Sequence, residues 1–264
     1  MNFLNSKCFF SIVLISILAT NSPSQAQTQA EATGGQAREH RPIEPHIMKV
    51  VMSGSMQLNL KASPIPELYV SGDPKLVAKV TTKIDGDTLY IGTKGIYIAV
   101  GKTQQTIVEL NLPALEKLQL SGSGNSSVKG FKGTRLEFIA EGSGNYVLES
   151  DYSMLQFTAS GSGNGQLALP NCQTIALRSQ GSGSLILKGK ATLLNGVITG
   201  SGAFDAMAMQ TLKSNLNVAG SGDVSVSVSD DVTAKLTGSG NVYLQGNPTK
   251  RHIQHSGSGQ LIWK

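Results

Sequence analysis

The chain has 264 residues, and its composition restricts the fold before any motif is considered. Apolar residues make up 39% and charged residues 15%, so the chain is too apolar and too weakly charged to be intrinsically disordered. Its 30 glycines would each destabilise a helix interior by about 1 kcal/mol, which favours a glycine-rich all-β protein. The net charge of +5 is modest and the basic residues are scattered, so no nucleic-acid binding is expected.

The N-terminal segment 1–26 is typical of a secretory signal peptide. Residues 8–19 form an apolar run that is too short to span a bilayer. Ser24 and Ala26 place small residues at the −3 and −1 positions of a cleavage site, so we expect cleavage after Ala26; an uncleaved anchor is the alternative. Cleavage leaves no transmembrane span and one cysteine, Cys172, and therefore no internal disulfide framework.

Residues 27–45 are polar and show no apolar periodicity, and we interpret them as a flexible tether. His40 and His46 lie in or beside this segment without further potential ligands nearby. No metal site is therefore expected there.

An internal repeat dominates the rest of the sequence. The tripeptide Gly-Ser-Gly occurs eight times at intervals of 18 to 20 residues. The central serines are Ser123, Ser143, Ser162, Ser182, Ser201, Ser221, Ser239 and Ser258. So regular a period indicates a repeat architecture in which each unit packs against its neighbours.

Apolar residues occupy fixed positions on both sides of each copy. The sixth residue after the first glycine is apolar in every copy: Val128, Leu148, Leu167, Leu187, Ala206, Val226, Leu244 and Trp263. The fourth residue before that glycine is apolar in every copy except at Gly196. Polar residues alternate with these positions, as in Val224-Ser225-Val226, which predicts strands with one buried face.

One repeat architecture fits this pattern. Units of 19 residues cannot hold two helices, a β-propeller blade needs about 40 residues, and the leucine-rich pattern is absent. A parallel β-solenoid with one coil per repeat remains. The drift of the period favours a right-handed β-helix of about 19–20 residues per coil over strict hexapeptide coils.

Residues 46–120 carry the same pattern in degenerate form. Ser53-Gly54-Ser55 and Ser71-Gly72-Asp73 resemble the tripeptide, and Asp85-Gly86 predicts a hairpin turn. We expect atypical N-terminal coils and a cap in this region, followed by the Gly-Ser-Gly coils of the same domain over residues 121–264.

Two polar columns follow from stacking the coils. The residues directly after Gly-Ser-Gly include Asn125, Asn145, Asn164, Asp223 and Asn241, and we expect their side chains to form a structural ladder from coil to coil. For the eight central serines, three interpretations stay open: hydroxyl groups that close the bends, a ligand-facing surface stripe, or a surface that matches ice.

No motif for catalysis, cofactor binding or metal binding emerges. The repeat lacks the Gly-Lys-Ser/Thr ending of a phosphate loop. The segment around Asp223 resembles one unit of a calcium-binding nonapeptide roll, but the period is doubled and aspartate occurs once in this column. No histidine is placed to activate the central serines as nucleophiles.

The best enzymatic candidate is a group of carboxylates for polysaccharide cleavage. It comprises Asp205 and Asp223 on neighbouring coils and the loop residues Asp230 and Asp231. No histidine or arginine occupies a matching column position, so solvated surface charges are the favoured interpretation. The basic residues of the final coil are expected to be exposed: Arg251, His252 and His255.

Together with the predicted signal peptide, three features resemble a bacterial family, the autotransporter-adhesin head or GIN domain. They are the segment Glu67-Leu68-Tyr69-Val70-Ser71-Gly72-Asp73, the segment Asp85-Gly86-Asp87-Thr88-Leu89-Tyr90-Ile91, and the Gly-Ser-Gly-Asn array. The resemblance extends over residues 46–264. It implies a right-handed β-helix related in shape to polysaccharide lyases, and a role in adhesion.

These observations predict an exported, non-catalytic cell-envelope protein that presents a repetitive β-helix surface as an adhesin or binding module. The expected partner is an extracellular glycan or an envelope protein, with no cofactor. The expected location is periplasmic, outer-membrane-associated or extracellular. A carbohydrate-active β-helix enzyme, lyase-like or hydrolytic, is the alternative.

Overall fold

A computed structural model describes residues 30–33, 35–95 and 105–264. The predicted signal peptide and its cleavage site after Ala26 lie outside the described residues. The described residues are 70% strand and 2% helix and form a β-solenoid of about seven turns. The all-β parallel β-helix predicted from the repeat is therefore confirmed.

The described residues contain eighteen strands and one short helix. The N-terminal elements are β1 (Ala30–Thr33), β2 (Gln36–Arg41), β3 (Lys49–Ser53), β4 (Gln57–Ala62), β5 (Glu67–Gly72), α1 (Pro74–Val77), β6 (Val80–Asp85), β7 (Thr88–Thr93), β8 (Ile107–Leu112) and β9 (Lys117–Gly122). The repeat elements are β10 (Ser126–Gly142), β11 (Tyr146–Gly161), β12 (Gly165–Gly181), β13 (Leu185–Gly200), β14 (Phe204–Val218), β15 (Val224–Leu236), β16 (Val242–Gln245), β17 (Lys250–His255) and β18 (Leu261–Trp263).

Successive long strands pair in parallel and bring the Gly-Ser-Gly copies into one column. Gly142 pairs with Gly161, Gly161 with Gly181, and Gly181 with Gly200. The register shifts at a second bend in each coil, for example between Lys129 and Lys132 of β10. The variation of the period between 18 and 20 residues is therefore absorbed at that bend, and the Gly-Ser-Gly corner stays constant.

The two apolar columns predicted from the repeat line the interior. The column six residues after the first glycine is buried from Val128 to Leu244 and half-buried at Trp263. Tyr146, Phe138 and Phe157 pack together within the coils, with ring centroids 5.3 to 5.6 Å apart. Gly165 lies beside Tyr146 in the next coil, where an added Cβ would overlap the tyrosine ring, so the glycine leaves the space that the ring fills.

The N-terminal coils are not stacked in sequence order. β3 pairs in parallel with both β7 and β9, and β4 pairs in parallel with both β8 and β10. The coil of β3 and β4 therefore lies between the coil of β7 and β8 and the first Gly-Ser-Gly coil. Its corner, Ser53-Gly54-Ser55, continues the glycine column, because the Gly54 N–H donates to the carbonyl oxygen of Ser121 at 2.8 Å.

Antiparallel strands follow at this end of the solenoid. β5 pairs with β8, β2 pairs with β5, and β6 pairs with β7. The predicted hairpin turn at Asp85-Gly86 joins β6 to β7, and Gly86 has a φ of +57°, a conformation that favours glycine.

Residues 36–41 differ from the expected flexible tether, because they form strand β2. Their backbone pairs with β5, the His40 ring lies 5.0 Å from the Tyr69 ring, and the Arg41 guanidinium donates to Glu39 at 2.7 Å and to the carbonyl oxygen of Val77 at 3.3 Å. Pairing at the end of the solenoid therefore orders a segment that has no apolar periodicity of its own.

Ser71-Gly72-Asp73 also departs from the prediction, because it is not a corner of the solenoid. Gly72 pairs with Ala37 in the antiparallel part of the sheet. Asp73 caps α1 and accepts a hydrogen bond from the Lys75 N–H at 2.8 Å. Its likeness to the repeat is limited to residue types, since the chain before and after it pairs antiparallel.

Candidate binding surface

The Gly-Ser-Gly corner is held by backbone contacts between neighbouring coils. The Ser143 N–H donates to the carbonyl oxygen of Gly122 at 3.0 Å, and the same bond joins Ser162 to Gly142 and Ser201 to Gly181. In every copy a Cβ added to either glycine would lie closer than 3.0 Å to the backbone of the coil beneath. The serine is therefore the corner residue that carries a side chain.

All eight central serines are exposed, and we call this column the serine stripe: Ser123, Ser143, Ser162, Ser182, Ser201, Ser221, Ser239 and Ser258. Two of these hydroxyl groups bond to serines of the adjacent coil. Ser123 donates to Ser55 at 3.0 Å and Ser258 donates to Ser239 at 3.2 Å. The stripe is a continuous row of hydroxyl groups parallel to the solenoid axis.

The ladder residues bond differently from a stack of side-chain amides. The side-chain oxygen of Asn125 accepts the backbone N–H of Asn145 at 3.0 Å, and that of Asn145 accepts the N–H of Asn164 at 2.9 Å. Asn164 accepts from Ser184 at 2.9 Å. The series resumes later, where Asp223 accepts from Asn241 at 2.8 Å and Asn241 accepts from Gln260 at 3.0 Å. Each bond ties a corner to the next one.

A groove of about 890 Å³ lies on the strand segment that precedes the corner, over six successive coils. We call it the basic groove. Its outward side chains stand five and three residues before the first glycine: Gln156, Ala176, Asn195, Asn215, Thr233 and His252 in one column, and Thr158, Arg178, Val197, Asn217, Lys235 and Gln254 in the other. Arg251 also lines it, and none of the described residues in its lining is acidic.

Several side chains of the basic groove are held in place. The side-chain amide of Asn215 donates to the side-chain oxygen of Asn195, on the adjacent coil, at 2.9 Å. The Arg251 guanidinium lies 4.2 Å from the centroid of the Trp263 ring and donates to Asn247 at 2.7 Å. The exposed residues Arg178 and Lys235 take part in none of the ion pairs found within the described residues.

The basic groove is not predicted by the sequence pattern. Its columns contain amides, hydroxyls and cations that differ from coil to coil, so they produce no repeated motif. The observation that could have revealed it is the outward position of Arg178, Asn217 and Lys235, each three residues before a Gly-Ser-Gly.

A second groove of about 810 Å³ follows the other bend of the coils, and we call it the bend groove. Asp151, Lys190 and Leu212 line it together with Cys172. Cys172 is buried, and this burial raises the pKa of its thiol. A buried thiol with a raised pKa is a poor nucleophile.

Of the carboxylates considered for catalysis, Asp205 and Asp223 have hydrogen-bond partners, whereas Asp230 and Asp231 lie within strand β15 and not on the predicted loop. Asp205 accepts from the Met207 N–H at 3.0 Å, and Asp223 accepts from Asn241 in the ladder. The register pairs Asp205 with Ser225 of the next coil and does not pair it with Asp223. Within the described residues, no group of three or more histidine, cysteine, aspartate or glutamate side chains could hold a metal ion.

The predicted exposure of Arg251, His252 and His255 agrees with the structure.

In the described part of the chain, no helix has the length and apolar character needed to cross a membrane.

Solved structures share this fold. A "putative adhesin" from Parabacteroides distasonis ATCC 8503 superposes with a TM-score of 0.79 at 22% identity, over 88% of this chain and 98% of that chain. A "putative adhesin" from Parabacteroides merdae ATCC 43184 gives the same score and identity over 88% and 97% of the two chains. A "putative lipid binding protein" from Parabacteroides distasonis ATCC 8503 gives 0.77 at 25% identity over 88% and 97%. A search of curated proteins finds no match.

A family model with the description "Putative auto-transporter adhesin, head GIN domain" matches residues 47–248. This segment begins at Ile47, which is fully buried, and includes the Gly-Ser-Gly copies from Gly122 to Gly238. Because the match covers well over half of the chain and the parallel β-helix is the observed fold, the chain belongs to the auto-transporter adhesin head GIN domain family.

Proposed function

We propose that the protein is an exported, non-catalytic binding module of the cell envelope, which uses its repetitive outward surface for adhesion. Membership of the family supports an adhesin-type binding role. The surface comprises the serine stripe, at the Gly-Ser-Gly corner, and the basic groove, on the strand segment that precedes this corner.

The observation that carries this proposal is the register of outward side chains between coils. Parallel pairing places residues of the same column directly over one another, about 4.8 Å apart. The backbone contacts at the corner hold these columns rigidly. A partner with its own linear repeat, such as a glycan, can contact such a surface at several points at once, and the affinity then increases with the number of contacts.

The local bonding of the polar side chains supports a non-catalytic role. Asp205 and Asp223 accept backbone hydrogen bonds and belong to different register positions. The stripe serines that have hydroxyl partners bond to other serines. A nucleophilic serine needs a base within hydrogen-bond reach.

Binding is tested by incubating the purified chain with an array of extracellular glycans and matrix proteins. A triple variant of the stripe (Ser182→Gln, Ser201→Gln and Ser221→Gln) places larger side chains on three successive coils. We expect it to weaken the binding of the array ligand about tenfold. The matched control changes three exposed residues of the bend groove (Thr192→Gln, Leu212→Gln and Ser229→Gln) and should bind as the parent chain does.

Two outcomes of this experiment contradict the proposal. One is the absence of any ligand on the array. The other is turnover of a bound polysaccharide that disappears in the Asp205→Asn and Asp223→Asn variants, which would support the carbohydrate-active alternative.

Export is tested separately by cell fractionation. The full chain should appear outside the cytoplasm, shortened by about 26 residues if cleavage follows Ala26. A chain that lacks residues 1–26 should stay in the cytoplasm. Full-length protein confined to the cytoplasm would contradict export.

A further inference from the structure

We propose that the basic groove binds a linear acidic polysaccharide, a chain of sugars that carries carboxylate groups. The inference rests on the proposed function, because it assigns a partner chemistry to one part of the same repetitive surface. The charge, the hydrogen-bonding groups and the shape of the groove each support it.

The charged side chains in the lining of the groove are basic. Arg178 lies near one end, Lys235 lies towards the other, and Arg251 and His252 follow on the last coil. Acidic residues next to these columns are themselves paired with cations. Glu137, the register neighbour of Gln156, forms an ion pair with Lys117 at 3.2 Å, and Asp231 has Lys213 and Lys250 as register neighbours. Cations with no carboxylate between them raise the local concentration of an anionic ligand.

The neutral side chains of the groove are those that bind sugar hydroxyl groups. Asn195, Asn215, Asn217 and Gln254 each carry an amide that both donates and accepts hydrogen bonds, and Thr233 adds a hydroxyl group. The bond between Asn215 and Asn195 fixes the orientation of two of these amides. A simple anion would be bound by the cations alone and would leave most of these amides without a partner. A polyhydroxylated anion can form hydrogen bonds with them as well.

The aromatic content of the groove argues against the other polyanions and against proteins. Phe157, the phenylalanine in its lining, is fully buried. Single-stranded nucleic acids bind by stacking their bases on exposed aromatic rings in addition to charge. Protein partners are bound through buried aromatic anchors such as Trp and Tyr. The outward apolar residues here are Ala176 and Val197, which provide neither a ring for base stacking nor an aromatic anchor for a protein.

The dimensions fit a ligand that runs along the solenoid axis. The two columns continue in register from Gln156 to His252 over six coils, hence over about 24 Å at about 4.8 Å per coil. A linear polymer in this direction meets a new set of amide or cationic groups at each coil. A small anion would use one coil and leave the rest unoccupied.

The test is a binding titration of the full chain with hyaluronan, a linear carboxylated polysaccharide, beside neutral dextran and single-stranded DNA. We expect hyaluronan to bind, dextran to bind at least tenfold more weakly, and the affinity for hyaluronan to fall as salt is added. The double variant Arg178→Gln, Lys235→Gln should lose about tenfold in affinity, the effect of removing two exposed charge contacts. The control Lys188→Gln, Lys190→Gln removes the same charge from exposed sites outside the groove and should bind as the parent chain does.

Three results would overturn the inference: equal weakening by the two double variants, DNA binding as tight as hyaluronan binding, or no hyaluronan binding. If the array of the previous section still yields a ligand that the stripe variant loses and the groove variant retains, the inference fails and the proposed function stands. If neither hyaluronan nor the array yields a ligand, the proposed function fails as well.

Discussion

The close approach of neighbouring coils at the Gly-Ser-Gly corner can be tested with a single methyl group. A Cβ at Gly202 would lie closer than 3.0 Å to the carbonyl oxygen of Gly183, although the Gly202 backbone is not in the left-handed region. In Gly202→Ala the two coils must therefore separate locally. The separation strains the bonds from Ser201 and Gly202 to the carbonyl oxygen of Gly181, at 3.0 and 3.3 Å.

Two weakened hydrogen bonds at about 1 kcal/mol each and an overpacking cost of about 1–3 kcal/mol give a loss of about 3–5 kcal/mol in the free energy of unfolding. The matched control is Gly196→Ala, where the nearest atom is the flexible Cδ2 of Leu216 at 3.1 Å, and its effect should stay within about 1 kcal/mol. Thermal and urea denaturation of both variants measure the difference. Equal destabilisation by the two substitutions would refute the stacking of corners.

Three further predictions concern the interior, the ladder and the ionisation of a buried ring. Leu187→Asp places an unpaired charge at a fully buried position and should cost several kcal/mol, whereas Lys188→Asp on the exposed face should be nearly neutral; similar melting temperatures would contradict the register. Asn164→Ala removes the acceptor of the Ser184 N–H and should cost about 1 kcal/mol in urea denaturation, whereas Ser184→Ala keeps that N–H and should cost nothing measurable; the reverse order would contradict the ladder. Burial raises the pKa of Tyr146 from 10 to about 12, so its contribution to stability is present below pH 10 and lost as the pH rises from 10 towards about 12. Tyr146→Phe should show a smaller loss of stability over that interval than the parent chain, and an unchanged loss would contradict it.

The repeat determines most of the solenoid because the same contacts recur at every coil. The period predicted the glycine column, and the alternation around Val128 and Phe138 predicted which side chains are buried. The order of the N-terminal coils could not be predicted in this way. β5 to β8 pass beneath the coil of β3 and β4 through connections that leave no periodic signal.

The limits of the pattern are clearest at Gln36–Arg41 and Ser71-Gly72-Asp73. The first segment is polar and pairs through its backbone, and the second combines a sheet position with a helix cap. Backbone pairing depends on where the partner strand lies, which residue types do not encode. The basic groove was missed for a related reason, since its residues share a position and a polarity but no motif.

The central claim is that this protein binds an extended partner and leaves it intact. The most direct measurement uses the glycan that the full chain binds in the array or in the hyaluronan titration. The glycan is incubated with the protein and recovered, and its chain length is determined by size-exclusion chromatography. We predict stable retention of the glycan on the protein and an unchanged length distribution. Shortened glycan chains, formed by the parent protein and absent with Asp205→Asn and Asp223→Asn, would contradict the claim.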